Sequence, residues 1–297
     1  MSEVIAQPAP DGKYMIDSYG DWAEAEGVPI VTAAAVDLLT AETAPWARFA
    51  TRGAICHLAG RGDFLTLFLY ELPPASQSAR QHHLYEEIFY CLSGQGATII
   101  EAADGRSTRL EWRPGSLFAV PMNARHHHVN ESGREPARLA SVNDLRYLFN
   151  VFRNEDFIFA NPAQFPERMT GADRRDEARW ETGRAIELSA TAIGDARHLE
   201  VTLVDGSIGA TLHELAAGTS RIGPHADAGC FLFGVAGEIG LRYESDGIAG
   251  DLRPGMVTAT PPDAAYRLAN SATQAARLLA IRMGSARYPM LRTKRNT

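Results

Sequence analysis

Short apolar runs rich in β-forming residues recur along the chain from about residue 50, and Gly, Pro, Asp and Ser separate them at close intervals. In the first half of the chain these runs cover residues 64–70, 87–92, 97–101 and 117–120. Comparable runs return after residue 186, at residues 199–204, 230–235, 239–243 and 277–283. Many short strands divided by frequent turn signals are typical of a β-sandwich or β-barrel. The pattern therefore predicts an all-β protein.

Two regions depart from this pattern. The first 49 residues contain two stretches with helical character, at 19–26 and 36–43. Beyond about residue 150, aromatic residues, two X-Pro turns and a charged run at 174–179 interrupt the β-forming pattern. Turn and breaker residues of this kind indicate a connector, here with room for a short helix. We therefore expect a short helical N-terminal segment and a linker in addition to the strands.

The second half of the chain repeats the first. Three pairs of positions match at a nearly constant separation along the chain: Gly94 with Gly237, Gly115 with Gly255, and Asn130 with Asn270. An internal repeat of this length indicates two copies of one domain rather than a solenoid of small units. The predicted organisation is an N-terminal extension at 1–49, a first barrel at 50–150, a linker at 151–184 and a second barrel at 185–297.

Composition and charge narrow the classes of partner. The net charge is -7 and no long Lys/Arg run is present, so nucleic acid is not expected as a partner. The short basic end at 292–295 is expected to be a solvated tail. No stretch approaches the ~18 consecutive apolar residues of a membrane helix, and the first residues lack the features of a signal peptide. Cys56, Cys91 and Cys230 are widely spaced without a CxxC pair, which favours reduced thiols in a cytoplasmic protein.

The residues that carry the chemistry fall into two motifs in the first half. The first motif is Gln81-His82-His83, three residues, Glu87, six residues, then a glycine. The second motif is a glycine, five residues, Pro-x-Asn, two residues, His126, three residues, then an asparagine. In order and spacing this pair resembles the two metal-binding motifs of the cupin family. The resemblance implies tandem jelly-roll β-barrels and one divalent metal site built from Gln81, His83, Glu87 and His126.

Two departures from the family pattern leave alternatives open. Gln81 stands where the family has its first histidine, so it is expected to be a weak neutral ligand or to hydrogen-bond a bound water. Alternation along a strand puts Gln81 and His83 on one face and His82 on the other, although a bulge would reverse this. The same alternation places His126 and His128 on one side. The family spacing favours His126 as the ligand. His128 remains a candidate for the ligand, for a hydrogen-bond donor near the metal or for a base.

The second half lacks the corresponding ligands. Cys230 occupies the position of the motif glutamate, and Tyr266 occupies the position of the motif histidine. His225 lies five residues before Cys230. A set of one His, one Cys and one Tyr is expected to belong to a structural barrel that holds no metal, with Cys230 as a packed core thiol.

Three functions are compatible with this ligand set, with His83, Glu87, His126 and His128 as the candidate catalytic residues. Two imidazoles and one carboxylate are typical of non-haem Fe(II) oxygenases. The first expectation is therefore an oxidoreductase, an Fe(II) dioxygenase distantly similar to the gentisate and quercetin types, acting on a small phenolic, diketone or hydroxy-acid substrate. The second is a non-oxidative Lewis-acid enzyme with Mn, Zn or Ni (decarboxylase, isomerase, lyase or hydrolase). The third is a small-molecule-binding protein without catalysis. A homodimer is also plausible for such barrels.

Overall fold

The computed structural model of the chain describes the backbone of residues 7–8, 14–15, 186–187, 198–204 and 249 and, with side chains, residues 17–60, 64–102, 105–165, 208–223, 229–243, 250–262 and 264–283. The predicted linker beyond residue 165, His225 and the basic end at 292–295 lie outside the described residues. Within them, no helix combines the length and the apolar character that crossing a bilayer requires.

Two strands pair before the first helix, and three more follow that helix, ahead of the first barrel. The elements of this region are β1 (Gln7–Pro8), β2 (Tyr14–Met15), α1 (Ser18–Ala25), β3 (Ile30–Val31), β4 (Ala35–Asp37), β5 (Ala44–Trp46) and a 3-10 turn (Ala47–Phe49). The carboxylate of Asp17 accepts a hydrogen bond from the Gly20 backbone N–H and so caps α1. The predicted helix at 19–26 is therefore confirmed to within one residue at each end.

The first barrel consists of eight strands in two facing sheets. Its strands are β6 (Thr51–Cys56), β7 (Thr66–Leu72), β8 (Glu87–Ser93), β9 (Gly96–Glu101), β10 (Ser107–Trp112), β11 (Ser116–Val120), β12 (Arg125–Asn130) and β13 (Ala137–Asn143). The larger sheet has the order β11-β8-β13-β7-β6, and the smaller has the order β10-β9-β12. Two helices follow, α2 (Leu145–Phe152) and α3 (Glu155–Phe159), and then β14 (Ile186–Glu187).

The second barrel repeats this arrangement. Its strands are β15 (His198–Val204), β16 (Ile208–Leu215), β17 (Ser220–Ile222), β18 (Cys230–Ala236), β19 (Ile239–Tyr243), β20 (Ala249–Leu252), β21 (Met256–Thr260), β22 (Tyr266–Ala269) and β23 (Ala276–Met283). The larger sheet contains β15-β16-β23-β18-β21 and the smaller β17-β22-β19-β20. The chain is therefore all-β with two tandem barrels, as predicted.

Flanking strands cross between the barrels. Strand β4 of the N-terminal segment pairs with β21 of the second barrel, with Val36 opposite Val257. Strand β14, from beyond α3, pairs with β11 of the first barrel. The helix predicted at 36–43 is therefore wrong: residue 36 lies in a strand, because edge pairing with β21 and burial of Leu38 outweigh the helix propensity of this Ala- and Leu-rich stretch.

The two larger sheets pack against each other through one apolar core. That core joins residues of both barrels, among them Leu67, Leu69 and Tyr90 from the first and Phe231 and Phe233 from the second. The rings of Tyr90 and Phe233 lie 5.8 Å apart between centroids. A separate cluster fills the first barrel, with Phe68, Tyr70, Phe89 and Phe118 among its members. Strand β7 is buried on both faces, which explains why its sequence is a continuous apolar run.

The repeated asparagines have the same structural role in both barrels. The Asn130 side-chain amide donates hydrogen bonds to the backbone carbonyls of Leu72, Pro73 and Glu135. The Asn270 amide donates in the same way to Leu215, Ala216 and Gln274. The paired glycines also match, since Gly94, Gly115, Gly237 and Gly255 all have positive φ. The repeat therefore preserves the residues that shape turns.

Candidate metal centre

Three buried side chains converge inside the first barrel. His83 precedes β8, Glu87 begins it, and His126 lies in β12 of the facing sheet. Each offers one ligand atom, and these atoms all lie within 4.8 Å of one another. The three residues are 2%, 0% and 1% exposed, so no bulk water screens the charge of the carboxylate. These are three of the four ligands predicted from motif spacing.

The backbone fixes which nitrogen of each imidazole faces the centre. The Nδ1–H of His83 donates to the carbonyl of Tyr85 at 3.0 Å, and the Nδ1–H of His126 donates to the carbonyl of Ala124 at 2.9 Å. A carbonyl oxygen only accepts, so Nδ1 carries a proton in both rings and Nε2 is the nitrogen left to bind a metal. The His83 ring also stacks on Tyr85, with centroids 3.5 Å apart. Both imidazoles are therefore oriented as metal ligands usually are.

The inward-facing atoms have no partner of their own. His83 Nε2 lies 3.2 Å from Glu87 Oε2, yet neither atom, nor His126 Nε2, makes a hydrogen bond among the described residues. Buried electron-pair donors that face one another without a proton between them repel, and burying them unpaired is costly. A divalent cation at their common point would remove this conflict. The donor set therefore fits a metal ion such as Fe(II), Mn, Zn or Ni.

The second carboxylate oxygen is held from the opposite strand. The Ser141 hydroxyl donates to Glu87 Oε1, and the Asn143 amide donates to the Ser141 oxygen at 3.1 Å. Both residues belong to β13, which pairs with β8 in the register that sets Asn143 opposite Glu87. Sequence reasoning missed Ser141 and Asn143. The sequence signal that could have found them is the presence of two polar residues at alternate positions of a mostly apolar strand.

The remaining predicted residues occupy distinct places around this cluster. The side-chain amide of Gln81 is buried and has no hydrogen-bond partner at either atom among the described residues. His82 points elsewhere: its Nδ1–H donates to Asn123 Oδ1 at 3.0 Å, and it lines a separate cavity of about 550 Å³. His82 therefore faces away from the cluster, as strand alternation predicted, and a metal-facing Gln81 stays a prediction. Asn123 has φ +57°, which suits an asparagine in place of the glycine of the family motif.

His128 lies deeper in the barrel and belongs to a different set of contacts. Its ring is 5.6 Å from that of His126 between centroids and packs edge-on against Phe89 at 4.6 Å. Its Nδ1 lies 2.8 Å from the Thr98 hydroxyl, and its Nε2 has no partner within the described part of the chain. His128 is absent from the group whose ligand atoms lie within 4.8 Å of one another.

Burial determines the protonation of the buried groups. Desolvation, followed by the neighbouring charges of His83 and His128, holds the pKa of His126 well below its usual range. Desolvation, with smaller contributions from His127 and His83, lowers the pKa of His128 to about 3. Both imidazoles are therefore neutral at physiological pH, as a metal ligand must be. Burial, and then the Glu87 carboxylate, raises the pKa of the Tyr70 and Tyr85 phenols well above the ordinary value.

Possible anchors for an acidic substrate lie outside the barrel interior or are uncharged. Arg48 forms ion pairs with Glu26 and Glu155, and Arg125 is exposed. Tyr85 is fully buried and stacks on His83. Among the described residues the one buried Lys or Arg is Arg146, which pairs with Asp17. The charge of Arg48 acts on Tyr85, but Glu26 and Glu155 already pair with that guanidinium.

The second barrel carries no such cluster within its described residues. Cys230 and Tyr266, at the positions of Glu87 and His126, are both 2% exposed and belong to the apolar interior. Burial raises the pKa of the Cys230 thiol to about 12, so it is a protonated core residue. The position equivalent to His128 is Leu268, which removes the last polar group of the set.

Comparison with known proteins agrees with this fold. Residues 68–143 match the family model Cupin_2, described as Cupin domain. Acireductone dioxygenase from Bacillus mycoides (strain KBAB4) is 41% identical over 54 residues, which are 18% of this chain and 32% of that protein. The match thus spans about a third of the length of this relative.

Solved structures extend the likeness to both barrels. A deletion variant of oxalate decarboxylase from Bacillus subtilis superposes with a TM-score of 0.55 at 16% identity, covering 86% of this chain and 79% of that one. A variant of salicylate 1,2-dioxygenase from Pseudoaminobacter salicylatoxidans gives 0.53 at 14% identity, covering 74% and 70%. At such identities the likeness shows the fold alone. The chain is therefore a two-barrel β protein, and residues 68–143 of its first barrel match the cupin domain.

Proposed function

We propose that this chain is a metal-dependent cupin enzyme, in the first place a non-haem Fe(II) dioxygenase. The observation that carries the proposal is the set of buried, unpartnered ligand atoms on the described residues His83, Glu87 and His126. Two imidazoles and one carboxylate are the ligand set of non-haem Fe(II) oxygenases. The local match to proteins named acireductone dioxygenase supports the same direction.

Each residue of the site has a defined task in this proposal. His83, Glu87 and His126 would hold the metal, and Gln81 would face it with a neutral amide. When bound, iron supplies the one-electron and O2 chemistry that side chains lack. Ser141 keeps one oxygen of Glu87 occupied, so the other is directed inwards. The aromatic interior excludes water, which protects a reactive intermediate from side reactions.

The substrate class follows from the charges and shape of the interior. Among the described residues the one buried Arg, Arg146, pairs with Asp17, and Arg48, whose charge acts on Tyr85, pairs with Glu26 and Glu155. A substrate with two free negative charges would therefore compete with these carboxylates for any cation besides the metal. Phe89 and Phe118 stack at 5.1 Å within the same interior and provide flat apolar walls. A small phenolic, diketone or hydroxy-acid substrate, planar and with two neighbouring oxygen atoms, suits this environment.

A non-oxidative enzyme is the second candidate. The superposition on oxalate decarboxylase favours it at the level of fold, and the amide of Gln81 in place of an imidazole leaves a harder metal centre. Mn, Zn or Ni would then act as a Lewis acid. We rank this candidate second for a dicarboxylate substrate, because the described arginines Arg48 and Arg146 are already paired with carboxylates.

The deciding measurement is the metal content per chain of protein purified anaerobically, without chelators or a metal-affinity tag, followed by O2 uptake on a panel of phenols, diketones and hydroxy acids. We expect about one equivalent of iron, because one barrel carries the ligands, and O2 uptake with a member of the panel. Bound zinc, manganese or nickel without O2 uptake would instead favour the non-oxidative Lewis-acid enzyme. A metal-free protein would contradict both and favour a binding protein.

The second barrel provides the control for stoichiometry. His225→Ala and Tyr266→Phe should leave the metal content unchanged, because the Glu87 position is occupied there by a protonated thiol. A halved metal content in either variant would reveal a second metal site. We further propose that the protein acts on a small-molecule substrate, forms a homodimer and is located in the cytoplasm. We propose neither nucleic acid nor a membrane as its partner.

A further inference from the structure

His128 differs from the two histidine ligands in what holds its ring. His83 and His126 each donate Nδ1–H to a backbone carbonyl. His128 Nδ1 instead meets the hydroxyl of Thr98, directly across the strand pair in β9. A hydroxyl either donates or accepts, so the direction of this hydrogen bond decides where the His128 proton lies.

Trp112 decides that direction. Its indole Nε1–H, which only donates, gives a hydrogen bond to the Thr98 oxygen at 3.1 Å. The hydroxyl proton of Thr98 then has one described acceptor, His128 Nδ1 at 2.8 Å. If His128 donated instead, the Thr98 proton would be buried without an acceptor, since Thr98 is 0% exposed. The relay from Trp112 through Thr98 therefore leaves Nδ1 as the acceptor and places the His128 proton on Nε2.

The two kinds of histidine consequently face the interior with opposite polarity. His83 and His126 present a lone pair at Nε2, whereas His128 presents an N–H. That N–H is buried and has no acceptor among the described residues. The ring packs among Phe89, Tyr70, Phe118 and His126 and is 0% exposed, so no bulk water replaces the missing acceptor.

We propose that His128 is a fixed hydrogen-bond donor to an oxygen of the substrate, and that Thr98 and Trp112 are positioning residues that set its tautomer. This inference rests on the proposed function and deepens it. The substrate must carry a carbonyl or oxyanion within reach of Nε2–H, as a diketone, enolate or phenolate does. His128 is then neither a metal ligand nor a base, since Nε2 has no free lone pair.

The first test reads the tautomers directly by NMR in metal-free protein with 15N-labelled imidazoles. His128, identified by the signal that His128→Gln removes, should be the Nε2–H form, whereas His83 and His126 should be Nδ1–H forms. Thr98→Val should shift His128 towards the Nδ1–H form, because the donor to Nδ1 is gone. Thr98→Ser restores the hydroxyl and should restore the Nε2–H form. An Nδ1–H form of His128 in the unaltered protein would overturn the proposal.

The second test separates ligand from donor with zinc titrations. Loss of a residue that only hydrogen-bonds a metal ligand typically weakens metal binding by about 10–100-fold. His126→Gln removes a ligand and should weaken zinc binding by more than that. His128→Gln should change it by less than about 10-fold. Equal losses in both variants would make His128 a ligand and overturn the inference while leaving the metal enzyme intact. Absence of zinc binding to the unaltered protein would instead refute the proposed function and, with it, the substrate role of His128.

A substrate from the O2-uptake panel completes the test. Thr98→Val should lower kcat/KM by about tenfold, the usual effect of one lost hydrogen bond, and Thr98→Ser should recover it at unchanged metal content. A Thr98→Val enzyme with unaltered kcat/KM would overturn the donor role.

Discussion

At the scale of single residues, each ligand side chain of the first barrel has one polar atom held by a neighbouring residue and another polar atom left for the metal. Glu87 has one oxygen occupied by Ser141 and the other unpartnered among the described residues. His83 and His126 are each bound at Nδ1, and Nε2 is left to face the centre. A buried carboxylate with no cation beside it is unfavourable, so the metal-free protein carries a local destabilisation that the metal removes.

Glu87→Gln tests this balance. The variant should lose most of its metal, since an amide is a poor replacement for a carboxylate ligand. The metal-free variant should be at least as stable as the metal-free unaltered protein, because the uncompensated buried charge is gone. Elemental analysis and urea unfolding measure the two effects. His82→Ala is the matched control, since its imidazole contacts Asn123 instead; retained metal in Glu87→Gln would refute the ligand assignment.

Sequence spacing predicted His83, Glu87 and His126, and strand alternation predicted that His82 faces away. The supporting residues could not be found in this way. Ser141 lies 54 residues from Glu87, and Thr98 lies 30 residues from His128. Their roles depend on strand register, which hydrophobic patterning constrains to one face but not to one partner.

At the scale of elements, the internal repeat preserves the residues that shape turns but not the metal ligands. Asn130 and Asn270 each bind three backbone carbonyls at equivalent places. The positions of Glu87 and His126, by contrast, hold Cys230 and Tyr266 in the second barrel. Loop shape is needed for any barrel to close, whereas ligands are needed only where a metal binds.

Asn130→Ala and Asn270→Ala should therefore have similar effects on stability. Each removes three hydrogen bonds to carbonyls, at about 1 kcal/mol each, so unfolding free energy should fall by about 2–4 kcal/mol in either variant. Metal content of the folded protein should stay the same in both, which chemical denaturation and elemental analysis would check. Metal loss confined to Asn130→Ala would mean that the asparagine also shapes the metal centre.

Element prediction succeeded where the local sequence itself carries the signal for the element. The strands β8, β9 and β11 coincide with apolar runs between turns, and α1 begins at a side-chain cap. It failed at residues 36–43, because the pairing partner of β4 is the distant strand β21. A short Ala- and Leu-rich stretch contains no signal for such a partner, so local propensity favoured the wrong element.

At the scale of the whole molecule, the two barrels share one apolar core between their larger sheets. Phe233 of the second barrel lies in that core, 1% exposed and in contact with Tyr90 of the first. A shared core of this kind couples the stability of the barrels, so they should unfold together. Homodimer formation stays a prediction, which sedimentation of the intact chain would test.

Phe233→Ala tests the coupling. The cavity should lower the unfolding free energy by about 3–5 kcal/mol. The fluorescence of Trp46 and Trp112, both buried in the first barrel, should report the shift even though the substitution lies in the second. Phe157→Ala, at a ring that is 39% exposed, is the control and should change stability by less than about 0.5 kcal/mol. Unshifted tryptophan fluorescence in Phe233→Ala would show that the barrels unfold independently.

The pairing of β4 with β21 also has a consequence for how the chain is made. The strand that takes up the hydrogen bonds of Ala35 to Asp37 begins at Met256, about 220 residues further along the chain. At ribosomal speeds of about 5–20 residues per second, that strand emerges about 10–45 s later. During this interval β4 is an unpaired segment on the nascent chain, open to pairing with another strand. The early segment can thus dock onto the second barrel only after β21 has been synthesised.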